Sequence, residues 1–146
     1  MVGEIDMNFD SQICTTREQS IRLLALGLKK ETADMFYDYY KDRIGYDWYL
    51  VPKSATLGDK RSIPAWSLAR LLEMLPNPIP ISEDLPTFQH YAYLDLSRVA
   101  VRYYWEDYDG DKRALVSFYG KGFFAAVVDA VEWLIKEGCF NKEYLV

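Results

Sequence analysis

The stretch between residues 90 and 120 restricts the fold more than any other. Three runs rich in β-branched and aromatic residues follow one another: "HYAYLDLS" (90–97), "VAVRYYWE" (99–106) and "RALVSFYG" (113–120). Such residues suit a pleated, half-buried surface. In the middle run Val99, Val101, Tyr103 and Trp105 share one face, while Ala100, Arg102, Tyr104 and Glu106 share the other. That alternation is the mark of an antiparallel strand with one wet side. The link "EDYDGD" holds Asp109-Gly110, a hairpin dipeptide because both central residues of the favoured tight turn need φ > 0. Directly after comes "GFFAAVVDAVEWLIKEG" (122–138), in which Phe124, Val127, Val128, Val131, Leu134 and Ile135 make a broad apolar helical face closed by Gly138. Asp129, Glu132 and Lys136 face water. A sheet and a helix of this kind predict an α+β fold in which helices pack on an antiparallel sheet.

Earlier segments extend the pattern. "TTREQSIRLLALGL" (15–28) begins with a capping box, Thr15 with Glu18 or Thr16 with Gln19, and Gly27 stands ready to end the helix. Its spacing puts Ile21, Leu24, Ala25 and Leu28 on the inner face. In "DMFYDYYKDRIGYDWYL" (34–50), Met35, Phe36, Tyr39, Tyr40 and Ile44 fit one face of a helix over 32–43, and "YDWYLV" (46–51) fits a strand. Tyr37 falls off that helical stripe, and Tyr49 lies on the strand face opposite Trp48, so both are candidate contact residues. "IPAWSLARLLEMLP" predicts a helix over 64–75, capped by Ser62, with Pro64 in its first turn and Leu68, Leu71, Leu72 and Leu75 buried. The Pro-rich 76–86 reads as an internal connector, and residues 1–12 as a tail or edge strand. The expected whole is one domain over 1–146, with helices at 16–26, 32–43, 64–75 and 123–137 on a three- or four-stranded antiparallel sheet.

Charge and composition narrow the function classes. A formal net charge of −5 argues against binding of phosphate backbones, which needs clustered Lys and Arg. No run approaches the ~20 apolar residues that span a bilayer. The acidic start lacks the basic and apolar regions of a signal peptide, so the expected compartment is the cytoplasm. Cys14 and Cys139 stand at opposite ends of the chain and form neither a disulfide framework nor a zinc motif.

The reactive groups are few. His90 is the one histidine; with Cys14, just ahead of a helix N-terminus that would lower a thiol pKa, it makes the one dyad worth naming. "DYDGD" resembles a calcium loop, but the position of its bidentate acid, twelfth from Asp107, is Phe118. A solvated hairpin turn is the plainer reading. "YGKGFF" sets Gly120, Lys121 and Gly122 between a strand and a helix, where backbone N–H groups and a lysine could hold an anion. No nucleotide fingerprint or nucleophile elbow accompanies them.

Three blocks, "CTTREQSIRLLALGL" with "ETADM", "IPAWSLARLLEMLP" and "AVVDAVEWLIKEG", together resemble short proteins of phages and mobile elements of gut Bacteroides-type bacteria. "IPAWSL" is the most distinctive of them. That family has no assigned activity, cofactor or catalytic residue, so the resemblance implies only an accessory protein in a bacterial cytoplasm.

The leading expectation is a small non-catalytic protein that binds a protein partner, or itself, by burying an aromatic patch anchored on Tyr37, Tyr49 and Tyr104. The second is a small-molecule or anion-binding protein, or an enzyme, working at the Gly120–Lys121–Gly122 turn. A third is an acidic surface that mimics nucleic acid. No cofactor or metal is expected.

Overall fold

The structure is a computed structural model that describes residues 12–83 and 89–146. Apart from Gln12, the expected tail or edge strand over 1–12 lies outside the described residues. Along the chain come α1 (Arg17–Ala25), β1 (Met35–Lys41), β2 (Tyr46–Pro52), β3 (Ile63–Ala65), α2 (Leu68–Met74), β4 (Ile79–Pro80), β5 (Tyr91–Leu96), β6 (Ala100–Glu106), β7 (Lys112–Tyr119) and α3 (Phe123–Lys136). The class is α+β. Among the described residues there are three α-helices and two antiparallel sheets, ordered β2-β1-β3 and β4-β5-β6-β7. Four helices on one sheet were expected, and both numbers are corrected.

The lost helix is the one over 32–43. Those residues form a single 3₁₀ turn, Lys30–Thr32, and then β1. β1 runs antiparallel to β2 with Tyr39 opposite Trp48 and Asp38 opposite Tyr49. The spacing of Met35, Phe36, Tyr39 and Tyr40 fits a helical face, but a strand with aromatic residues on both faces produces the same pattern. Tyr and Phe favour the strand, and Gly45, at φ +139°, provides the turn into β2. Asp38, which helical spacing would turn away from the apolar face of Met35, Phe36, Tyr39 and Tyr40, is 1% exposed. It accepts hydrogen bonds from Thr56 Oγ1 (2.7 Å), Ser62 Oγ (2.7 Å) and the Leu57 N–H (2.8 Å), tying the following loop to the sheet.

The block "IPAWSL" is a structural hub. Ile63–Ala65 pair with β1 as β3, so Pro64 lies in a strand rather than a helix turn. Helix α2 starts later than expected, at Leu68, and its cap is Ser67, whose Oγ accepts from the Arg70 N–H. Ser67 Oγ and N–H both donate to the Asp34 carboxylate. Trp66 is fully buried, with its Nε1–H donating to Thr32 Oγ1 (2.9 Å) and its backbone bonded to Thr15. Helix α1 has the capping box of Thr16 and Gln19 and ends at Gly27, φ +101°. Its buried residues are Ser20 and Leu23; Ile21 is exposed, contrary to expectation.

The second sheet is an antiparallel meander. Val101 and Tyr103 are fully buried, and helix α3 packs over β6 and β7 through Phe124, Val127, Val128, Val131 and Leu134. Burying a side chain of this size contributes about 1.5–3 kcal/mol. Val99 is exposed in the β5–β6 turn and does not join that face. Leu23, Trp66, Leu71, Ile79, Val101 and Leu134 belong to one buried cluster, against which Phe36 of the first sheet also packs. The Pro-rich connector contributes β4, which pairs with β5.

Candidate functional site

The register of the strands decides which expected anchors can act together. Directly opposed residues of an antiparallel pair point to the same side of the sheet. Tyr37 lies opposite Leu50, and Tyr49 opposite Asp38, so Tyr37 and Tyr49 point to opposite faces of the first sheet. Tyr104 is in the other sheet. The three do not form one patch, and that part of the expectation is corrected.

Each has its own surroundings. Tyr37 is half-buried; its hydroxyl donates to Thr15 O (2.8 Å) and lies 3.3 Å from Cys14 Sγ. Burial first, and then the bond with Cys14, pushes its phenol pKa well up. Its hydroxyl thus ties β1 to the segment ahead of α1, which is a structural role. Tyr49 stacks on Tyr40, ring centroids 4.2 Å apart, on the hairpin ribbon beyond the reach of β3. Tyr104 is half-buried, 6.3 Å from the Tyr93 ring, with Lys112 Nζ 4.7 Å above it.

Tyr104 leads to the surface that sequence reasoning missed. Its face of β6 also carries Arg102, and opposite these on β5 are Tyr93 and Asp95. Tyr91 continues the same side of β5, and Tyr119 of β7 joins it opposite Ala100. Tyr91 is 49% exposed, Tyr93 41% and Tyr119 71%. Near the middle Arg102 Nε donates to Asp95 Oδ2 at 2.5 Å. Helix α3 packs on the other side of this sheet, and Tyr91, Tyr93 and Tyr119 stand exposed on the tyrosine side. The available signal was alternation: in 91–96, Tyr91, Tyr93 and Asp95 interleave with Ala92 and Leu94.

The glycine turn has a packing explanation. A Cβ on Gly120 would fall 2.6 Å from Ala126 N and 2.7 Å from Ala125 Cβ, so glycine lets the end of β7 meet α3. Gly122 precedes α3 with φ +142°. Lys121 is exposed at the rim of a depression of about 420 Å³ whose other walls are Gln12, Leu68, Gly122, Phe123, Phe124 and Ala125. That mainly apolar lining adds no support to the anion reading beyond Lys121 itself.

The cysteine dyad is unsupported as well. Cys14 is buried against Tyr37, and burial raises its thiol pKa, opposite to the lowering expected from the helix end. The two cysteines are free thiols. In "DYDGD" the Asp107 carboxylate accepts from the N–H groups of Asp109 and Asp111 and from Arg113 Nε. The Arg113 bond, followed by those backbone bonds, holds its pKa below the usual range despite burial. Only Gly110 has φ > 0 here, so a loop capped by Asp107 replaces the expected two-residue turn. Among the described residues no group of His, Cys, Asp and Glu could hold a metal ion.

A depression of about 580 Å³ lies between α1 and the first sheet and is lined by Thr16, Arg17, Glu18, Ile21, Trp48 and Ile63. Arg17 lies over Trp48 at 4.8 Å. Among the described residues its walls hold neither a histidine nor a cysteine, and Glu18 is their one carboxylate. Among the described residues no helix is long and apolar enough to cross a membrane.

No family model matches the chain, and neither the curated proteins nor the solved structures contain a match.

Proposed function

We propose that this chain is a small non-catalytic interaction protein whose contact surface is the outer face of β4-β5-β6-β7. The observation that carries the reading is the exposure of Tyr91, Tyr93 and Tyr119 beside Tyr104 and the Asp95–Arg102 pair, on the sheet face opposite α3. Tyrosine and arginine provide large, amphipathic contact area and are enriched at binding hot spots. The tyrosines contribute the area, and the central ion pair fixes orientation. The setting proposed with it is an accessory role for a mobile element in a bacterial cytoplasm.

The test is a double variant, Tyr93→Thr with Tyr119→Thr. Threonine retains β-propensity, and the side chains are exposed, so the melting temperature should stay within about 3 °C of wild type. Capture of a partner from host lysate should be lost. A Tyr37→Phe variant should capture it as wild type does. Retained capture by the double variant would refute the assignment of this face.

A further inference from the structure

We infer that the outer sheet face binds a second copy of this chain, stacked face to face so that Asp95 of each copy meets Arg102 of the other. This rests on the interaction reading above and identifies its partner. The ground for it is the register of β5 on β6. Asp95 lies opposite Arg102, and Tyr93 opposite Tyr104. A two-fold axis running parallel to the strands, between β5 and β6, sets each residue over its own cross-strand neighbour in the other copy. Asp95 then faces Arg102, and Tyr93 faces Tyr104. The four central charges alternate in sign around a ring, and aromatic meets aromatic. An axis across the strands does less well, because it sets Asp95 over tyrosine or over its own copy. The strands of the two copies stay aligned, as in ordinary sheet-on-sheet packing with layers about 10 Å apart. The contact is isologous and closes at two copies.

The size of the face sets the strength. From strand spacing and rise it measures about 15–20 Å across and about 20 Å along. Two stacked copies therefore cover on the order of 700 Å² of flat area, below the standard size of a specific interface. The dimer is accordingly reversible and depends on concentration.

Sedimentation equilibrium from roughly 10 μM to 1 mM spans the range of weak specific association. The mass should rise from 17.0 kDa towards twice that value. Asp95→Arg sets arginine against Arg102 of the other copy, and Arg102→Asp sets aspartate against Asp95, so each variant should stay monomeric. Mixing the two variants should restore a dimer, because one copy then presents two arginines to the other's two aspartates. Asp95→Arg combined with Arg102→Asp in one chain should also dimerise, which controls for folding. A wild type that is monomeric throughout, single variants that dimerise normally, or a mixture that stays monomeric would each overturn the inference. If wild type is monomeric but the Tyr93→Thr, Tyr119→Thr variant still loses a captured partner, the second copy is wrong and the surface stands. If that variant keeps the partner, the surface falls too.

Discussion

Replacing Asp38 by alanine should cost far more than a carboxylate in a strand of tyrosines would suggest. Its oxygens accept from Thr56 Oγ1, Ser62 Oγ and the Leu57 N–H, all at 2.7–2.8 Å. A hydrogen bond to a charged acceptor is worth about 1.5–3 kcal/mol. The full sum is not lost, because Leu57 is exposed and Thr56 and Ser62 are half-buried, so their donors can turn to water. A net loss of about 3 kcal/mol is the reasoned value. At about 3 °C per kcal/mol for a chain of this size, the melting temperature should fall by about 9 °C. Asp38→Asn retains the shape and an acceptor oxygen, so about 1–2 kcal/mol should go.

The pH dependence gives a second reading of the same carboxylate. Burial alone would raise the Asp38 pKa, but the bonds from Leu57, Ser62 and Thr56 outweigh it and hold the group below its ordinary value. A carboxyl lowered in the folded state contributes stability that is complete above its unfolded pKa, about 3.9, and is lost as pH falls through the folded value. The gap between wild type and Asp38→Asn should therefore be full at about pH 6 and close as the pH falls below about 4. Thermal melts of the three proteins across this range measure both effects. A drop of less than about 2 °C for Asp38→Ala, or a gap to Asn that ignores pH, would refute the reasoning.

Two further substitutions probe the packing reading of expected site residues. Gly120→Ala puts a Cβ 2.6 Å from Ala126 N, so α3 must shift; denaturant titration should show a loss of about 2 kcal/mol, and a neutral result would undo the close-approach explanation. Tyr37→Phe removes the bond to Thr15 O and should cost about 1 kcal/mol in the same titration, with association unchanged; weakened association at full stability would restore Tyr37 as a contact.

Much of the fold was legible because its signals were local. The apolar face of α3, the capping box of Thr16 and Gln19 and the alternation of β6 from Val101 to Glu106 each lie within one element, and each stands as read. In the first sheet β2 was legible as a strand over 46–51, but β1 was not, because the spacing of Met35, Phe36, Tyr39 and Tyr40 serves a helix and a two-sided strand equally well. Pairing with β2 and β3 decides between them. The same non-local step hid the candidate site. Tyr104 could be assigned to the wet side of its own strand, but its association with Tyr93 and Tyr119 depends on register across three strands, including a shift between Tyr103 and Tyr104. The faces of Tyr37 and Tyr49 likewise follow from the pairing of β1 with β2, which neither element shows by itself.

Footprinting of tyrosine side chains tests the central claim most directly. Modification rates are compared between dilute and concentrated protein, and between free protein and its complex with any captured partner. Tyr91, Tyr93 and Tyr119 should be protected in the bound state, while Tyr46, 58% exposed on the first sheet, should react equally in both. Protection confined to Tyr46 and the hairpin around it, with the three outer-face tyrosines still reactive, would contradict the account.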